Sequence, residues 1–159
     1  MNINEVTLHE DDQGITVSRL YAASRDRVWA AWTEPEQIAR WWGPSGFTTT
    51  VQTMDVRPGG SWEFALHAPN GQDFPNSITY ESVDEPNKLV MLHKESTEFG
   101  LKAWRAEVTF EAVGDSTRVT MHNRFADAAE KAKHVTDFGA IEGAKQTLAR
   151  LSELLTTNN

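Results

Sequence analysis

The spacing of hydrophobic positions along this chain runs from alternate residues to helical spacing, back to alternation, and ends on a helical stripe. After Gly14, Ile15, Val17 and Leu20 suggest a first strand. Ser24 stands where a helix cap belongs, before RDRVWAAW, whose Val28 and Trp32 lie four apart on one helical face. Thr33 and Glu36 have capping-box spacing around Pro35, which predicts a second short helix, EQIARWW, ended by Gly43-Pro44.

Strand signals then follow one another. Phe47 to Val56 is rich in threonine and valine, and Arg57-Pro58-Gly59-Gly60 reads as a turn. Trp62, Phe64 and Leu66 alternate with Glu63, Ala65 and His67. SITYESV and KLVMLH predict two further strands on either side of Asp84-Glu85-Pro86-Asn87, followed by a polar stretch from Glu95 to Gly100. Trp104, Ala106, Val108 and Phe110 alternate in the next strand, and Val119, Met121, Asn123 and Phe125 in the last. From about His134 to Leu155, Ile141, Ala144, Leu148, Leu151 and Leu155 form one apolar stripe, with Glu142, Gln146, Arg150 and Glu153 opposite. A sheet apolar on one face and one long amphipathic helix bury each other best when the sheet curls around the helix. The expectation is a single α+β domain over residues 14–156, after a flexible leader at residues 1–13.

Composition narrows the function. The chain of 159 residues is 39% hydrophobic and 24% charged, a globular mixture. It has no cysteine, which excludes disulfides and thiolate chemistry and fits a reducing, cytoplasmic setting. A formal charge of −8 argues against a nucleic-acid partner, and no apolar run is long enough for membrane insertion.

Candidate chemistry is sparse. Strand parity turns His67 and His122 outward, leaves His93 ambiguous, and no metal-binding spacing appears among the five histidines, so no metal or cofactor is expected. No GxSxG elbow is present, and no catalytic residue is assigned. Arg57-Pro58-Gly59-Gly60 precedes a strand and lacks the phosphate-loop pattern, which leaves it a turn. Tyr80, Ser82 and Asn123 are polar residues on inward parity, and a buried amide such as Asn123 needs partners. Trp41 and Trp42, in Arg40-Trp41-Trp42-Gly43-Pro44, either wedge the short helices against the sheet or line a cavity mouth.

RVWAAWTEPEQIARWWGPSGFTT, the MDVRPGG turn with its WEF strand, EPNKLV and the terminal GAIEGAKQTLARLSELL together resemble the prokaryotic activator-of-heat-shock-protein-90-ATPase-like group of the SRPBCC superfamily. The resemblance runs from about Ile15 to Leu155. It implies a helix-grip (START-like, birch-pollen-allergen-like) fold: about seven antiparallel strands gripping a long C-terminal helix, two short helices after the first strand, and a cavity between sheet and helix. The expected function is binding of a small hydrophobic molecule. Trp62, Phe64, Tyr80, Trp104, Met121, Asn123 and Ile141 are the expected lining, with Trp41 or Trp42 near the mouth. Two other functions go with the resemblance: a module that stimulates a chaperone ATPase, and a polyketide cyclase or dehydratase-like enzyme. The eukaryotic activators carry a further N-terminal domain, for which this chain has no room.

Overall fold

The computed structural model describes residues 6–156. Its elements run β1 (Val6–Glu10), β2 (Gly14–Tyr21), α1 (Arg25–Thr33), α2 (Pro35–Ile38), β3 (Thr48–Met54), β4 (Ser61–His67), β5 (Asp73–Asp84), β6 (Lys88–His93), β7 (Trp104–Val113), β8 (Ser116–Arg124), α3 (Ala128–Phe138) and α4 (Ala140–Thr156). The strands form one antiparallel sheet in the order β1-β2-β8-β7-β6-β5-β4-β3. This is the α+β helix-grip arrangement, with eight strands rather than about seven.

The additional strand, β1, lies within the stretch expected to be a flexible leader. Asp11 builds its hairpin turn, its Oδ1 accepting from the backbone N–H groups of Gln13 at 2.9 Å and Gly14 at 2.7 Å. These bonds hold the Asp11 carboxyl below its ordinary pKa. Thr7 to Glu10 are all exposed and Val6 alone of the strand packs half-buried against the core, so β1 leaves no alternation to read.

The expected long helix from His134 to Leu155 is two helices. The chain begins coiling earlier, at Ala128, where the Asp127 side chain accepts from Glu130 N–H. It stops at Gly139, which sits in the left-handed region at φ 60° and donates its N–H to His134 O. Coiling resumes at Ala140, so the apolar stripe from Ile141 to Leu155 belongs to α4 alone.

In α4, Leu148, Leu151 and Leu154 are buried against the sheet, and Tyr21 Oη donates to Leu148 O at 2.8 Å. The opposite face of α4 is not simply solvated. Gln146 Oε1 accepts from Ser45 N–H, and the Arg150 guanidinium reaches the carbonyls of residues 42–44. The capping box expected at Thr33 does not form either: Thr33 Oγ1 bonds back to Trp29 O, and Glu34 caps α2 without a side-chain bond while Pro35 opens it.

At the Arg57-Pro58-Gly59-Gly60 turn, Gly60 N–H bonds to Arg57 O at 2.8 Å, and Gly59 N–H and Gly60 O both bond to Tyr80. A Cβ on Gly60 would lie 2.0 Å from Asp55 O, so only glycine fits there.

Candidate functional site

One cavity of about 780 Å³ opens at one end of the grip, the size of an ordinary ligand site. Its position follows from strand lengths. β5 pairs with β4 from Asp73 onward, but its register with β6 begins only at Ile78, opposite His93. The first residues of β5 therefore overhang the end of β6, and the chain between His93 and Trp104 arches across the gap. Leu66, Phe74 and Asn76 form one wall, Trp104 and His93 another, and the arch from Lys94 to Leu101 a third. His134, Asp137 and Phe138 of α3 close the top, with Pro44 and Phe47 below.

The arch is fastened to α3. Lys102 N–H donates to Glu130 Oε1 at 2.7 Å, Lys102 Nζ pairs with Asp127 at 3.1 Å, and Lys133 Nζ bonds both Glu130 at 2.9 Å and Gly100 O at 3.1 Å. Glu130 is buried yet fully engaged, and the Lys102 N–H bond followed by the Lys133 bond holds its carboxyl below the usual range. Arch and helix thus form one cover.

The inner end of the cavity is aromatic and neutral. The Trp104 indole stacks on His93 at 4.2 Å between centroids and meets His134 edge-on at 4.5 Å, while His134 stacks on Phe125 at 4.3 Å. Burial, reinforced by the neighbouring His134, pushes the His93 imidazole down to about 3. Burial also lowers His134, against the opposing attraction of Glu130. Neutral imidazoles offer one N–H donor and one acceptor each. Towards the mouth, Glu63, Glu95, Glu98 and Asp137 face a single lysine, Lys94, so the rim is acidic. A file of phenylalanine rings runs along it, Phe47 to Phe74 at 6.2 Å, Phe74 to Phe99 at 5.1 Å and Phe99 to Phe138 at 6.1 Å.

Of the nine residues expected to line a pocket, Trp104 lies on this cavity. The other eight do not, and the slot expected in the middle of the grip is filled. Trp62 is fully buried and stacks on Phe64 at 4.2 Å, and Trp42 meets Trp62 at 5.1 Å and Trp41 at 5.5 Å. Trp41 donates its indole N–H to Ala31 O at 2.9 Å, the wedging alternative for this pair. Tyr80 and Met121 are buried in the same core, and Ile141 packs half-buried against it. Asn123 is half-buried, between Ile15 and Ala106 in the register. Strand alternation does turn Trp62, Phe64, Tyr80 and Met121 into the core. It could not say that rings of this size would interlock there without leaving space.

Sequence reasoning missed the cavity's own residues for two reasons. Phe99 and Leu101 belong to the polar arch, where no periodicity operates. His134 was assigned to the start of a core helix, whereas the break at Gly139 gives it to the cover. His93 was the one legible signal, since it shares parity with Leu89 and Met91. Among the described residues, no group of three or more His, Asp or Glu side chains is placed to hold a metal ion.

A family model described as Activator of Hsp90 ATPase homolog 1-like protein matches residues 22–156, most of the chain. The chain belongs to that family. Solved structures agree on the fold of this activator-like domain. A protein from Arthrobacter aurescens superposes with a TM-score of 0.87 at 23% identity, covering 95% of this chain and 91% of that one. Protein Ms6760 from Mycobacterium smegmatis gives 0.85 at 29% identity, over 98% and 100%. CalU16 from Micromonospora echinospora is more distant, at 0.62 and 21% identity over 89% and 64%. No match is found among curated proteins.

Proposed function

We propose that this activator-like domain binds a small, mostly hydrophobic molecule in the cavity beneath the α3 cover. The observation that carries the reading is a solvent-accessible cavity of about 780 Å³ with Leu66, Phe74, Phe99 and Trp104 on its walls, beside a core of interlocked aromatic rings. A cleft of this size with largely apolar walls and a few polar groups has the ordinary form of a ligand site. Trp104 serves as the reporter, because it lies on the cavity while Trp32, Trp41 and Trp62 are sealed in the core. Titrating planar apolar molecules should quench tryptophan fluorescence, and Trp104→Phe should remove most of that quenching. Absence of quenching and of calorimetric heat across a broad hydrophobic panel would refute ligand binding.

The family description supports a second reading, stimulation of a heat-shock-protein-90-type ATPase. Adding the purified protein to the chaperone from the same organism tests it. A saturable, several-fold rise in ATP turnover would establish that activity, and an unchanged rate would dismiss it.

A further inference from the structure

We infer that the cavity selects an uncharged aromatic molecule carrying a hydroxyl group, whose O–H is received by Nε2 of His134. This rests on the ligand-binding reading above and adds the chemistry of the ligand's polar end. His134 is 6% exposed, and its Nε2 is buried with no hydrogen-bond partner. The indole N–H groups of Trp32 and Trp62 are also unpartnered, but neither residue lies on the cavity. A buried imidazole nitrogen left empty is costly, and a ligand that supplies its partner recovers that loss.

The surroundings decide the class of donor. Trp104 and Phe125 hold the His134 ring at centroid distances of 4.5 and 4.3 Å, which keeps the imidazole in place on the cavity wall. Phe138, one turn further along α3, is 6.3 Å from His134 and 43% exposed, so it stands beside that ring at the edge of the cavity. Flat walls of Trp104 and the phenylalanine file favour a planar body, which stacks rather than coils. The rim excludes the commonest hydrophobic acids. Glu63, Glu95, Glu98 and Asp137 outnumber Lys94, and a carboxylate entering among them meets repulsion with no guanidinium or lysine at the inner end. A hydroxyl donates without bringing negative charge, and a neutral imidazole is a good acceptor for it.

Equilibrium dialysis of the full chain at pH 7.5 against 2-naphthol, naphthalene and 2-naphthoate tests the assignment. 2-Naphthol should bind about tenfold more tightly than naphthalene, the worth of one good hydrogen bond, and 2-naphthoate more weakly than either. His134→Phe should lower 2-naphthol to the naphthalene level while leaving naphthalene unchanged. His134→Gln, which keeps an acceptor, should retain part of the preference and serves if the phenylalanine variant does not fold. Equal binding of 2-naphthol and naphthalene, or tightest binding of 2-naphthoate, overturns the hydroxyl assignment and leaves ligand binding standing. Failure of all three to bind removes the cavity reading itself, and this inference with it.

Discussion

Arg150 Nη1 lies 2.9 Å from the carbonyl oxygen of Gly43, and the same nitrogen is 3.3 Å from Trp42 O and 3.2 Å from Pro44 O. One guanidinium thus gathers the carbonyls of the turn that follows α2 and ties that turn to α4. Gly43 occupies the left-handed region at φ 108°, and an added Cβ would lie 2.9 Å from a Leu66 methyl. The glycine permits the turn and the arginine satisfies its acceptors.

Removing that cation should therefore unmoor the Trp41-Trp42 segment from α4. Arg150→Ala is expected to cost about 2–3 kcal/mol in denaturant unfolding, the range for hydrogen bonds to a charged donor. Arg150→Lys should recover less than half, since the shorter lysine chain falls short of the carbonyls of residues 42–44 and gives up the second nitrogen's contact with Arg40 O. A loss below about 0.5 kcal/mol would show that the turn stands without it.

The α4 stripe gives a second expectation. Leu148 is fully buried between sheet and helix, so Leu148→Ala should cost about 2–5 kcal/mol. Urea unfolding with an unchanged m-value is the measurement, and a surface-like loss under about 1 kcal/mol would mean that α4 does not pack as described.

Gly60 offers a sharper steric test. With a Cβ 2.0 Å from Asp55 O, Gly60→Ala must shift backbone rather than a side chain. The expected loss is about 2 kcal/mol or more, at the high end for single substitutions. Gly59, which has open space around its added Cβ but sits at φ 85°, should lose only about 1–2 kcal/mol on replacement by alanine. The order of the two melting temperatures checks the argument.

Stability should fall in acid in a way that His93 reports. Its folded pKa is about 3, well below the 6.5 of a free imidazole, because burial and the adjacent His134 disfavour the charged form. The unfolded chain therefore takes up a proton near pH 6.5 that the folded chain refuses, so the contribution of His93 is whole above pH 6.5 and drains away as pH falls towards 3. His93→Phe, which keeps a flat ring against Trp104, should lose on the order of a few kcal/mol less than the parent between pH 7 and pH 4. Asp11, Asp127 and Glu130, also lowered in the fold, act chiefly below about pH 4 and act in both proteins. Parallel pH profiles for the two proteins would dismiss the role of His93.

The architecture was largely legible because the residues that build it obey a period. Trp62 and Phe64, or Val108 and Phe110, face inward by alternation, and Leu148 and Leu151 by helical spacing. The cavity was not legible in the same way. It arises from an offset between β5 and β6 and from an aperiodic arch, and neither leaves a signature in hydropathy. β1 escaped notice because its residues are exposed. The break at Gly139 escaped because the apolar stripe begins only at Ile141, beyond it, although Gly139 itself was the clue. Parity gave the right direction for Tyr80 and Met121, yet direction does not distinguish a lining from a filling.

Gly139 divides one amphipathic stretch between two duties. Downstream, Thr147, Leu148, Leu151 and Leu154 are buried in the body of the domain, while upstream only Glu130 and His134 are buried in α3. Substitutions in α4 therefore meet a packed core, whereas most of those in α3 meet solvent or the cavity wall. On the ligand-binding reading proposed above, replacing the exposed Asp137 or Phe138 should alter what the cavity admits at little cost in stability, whereas His134, buried against Trp104 and Phe125, answers to both demands.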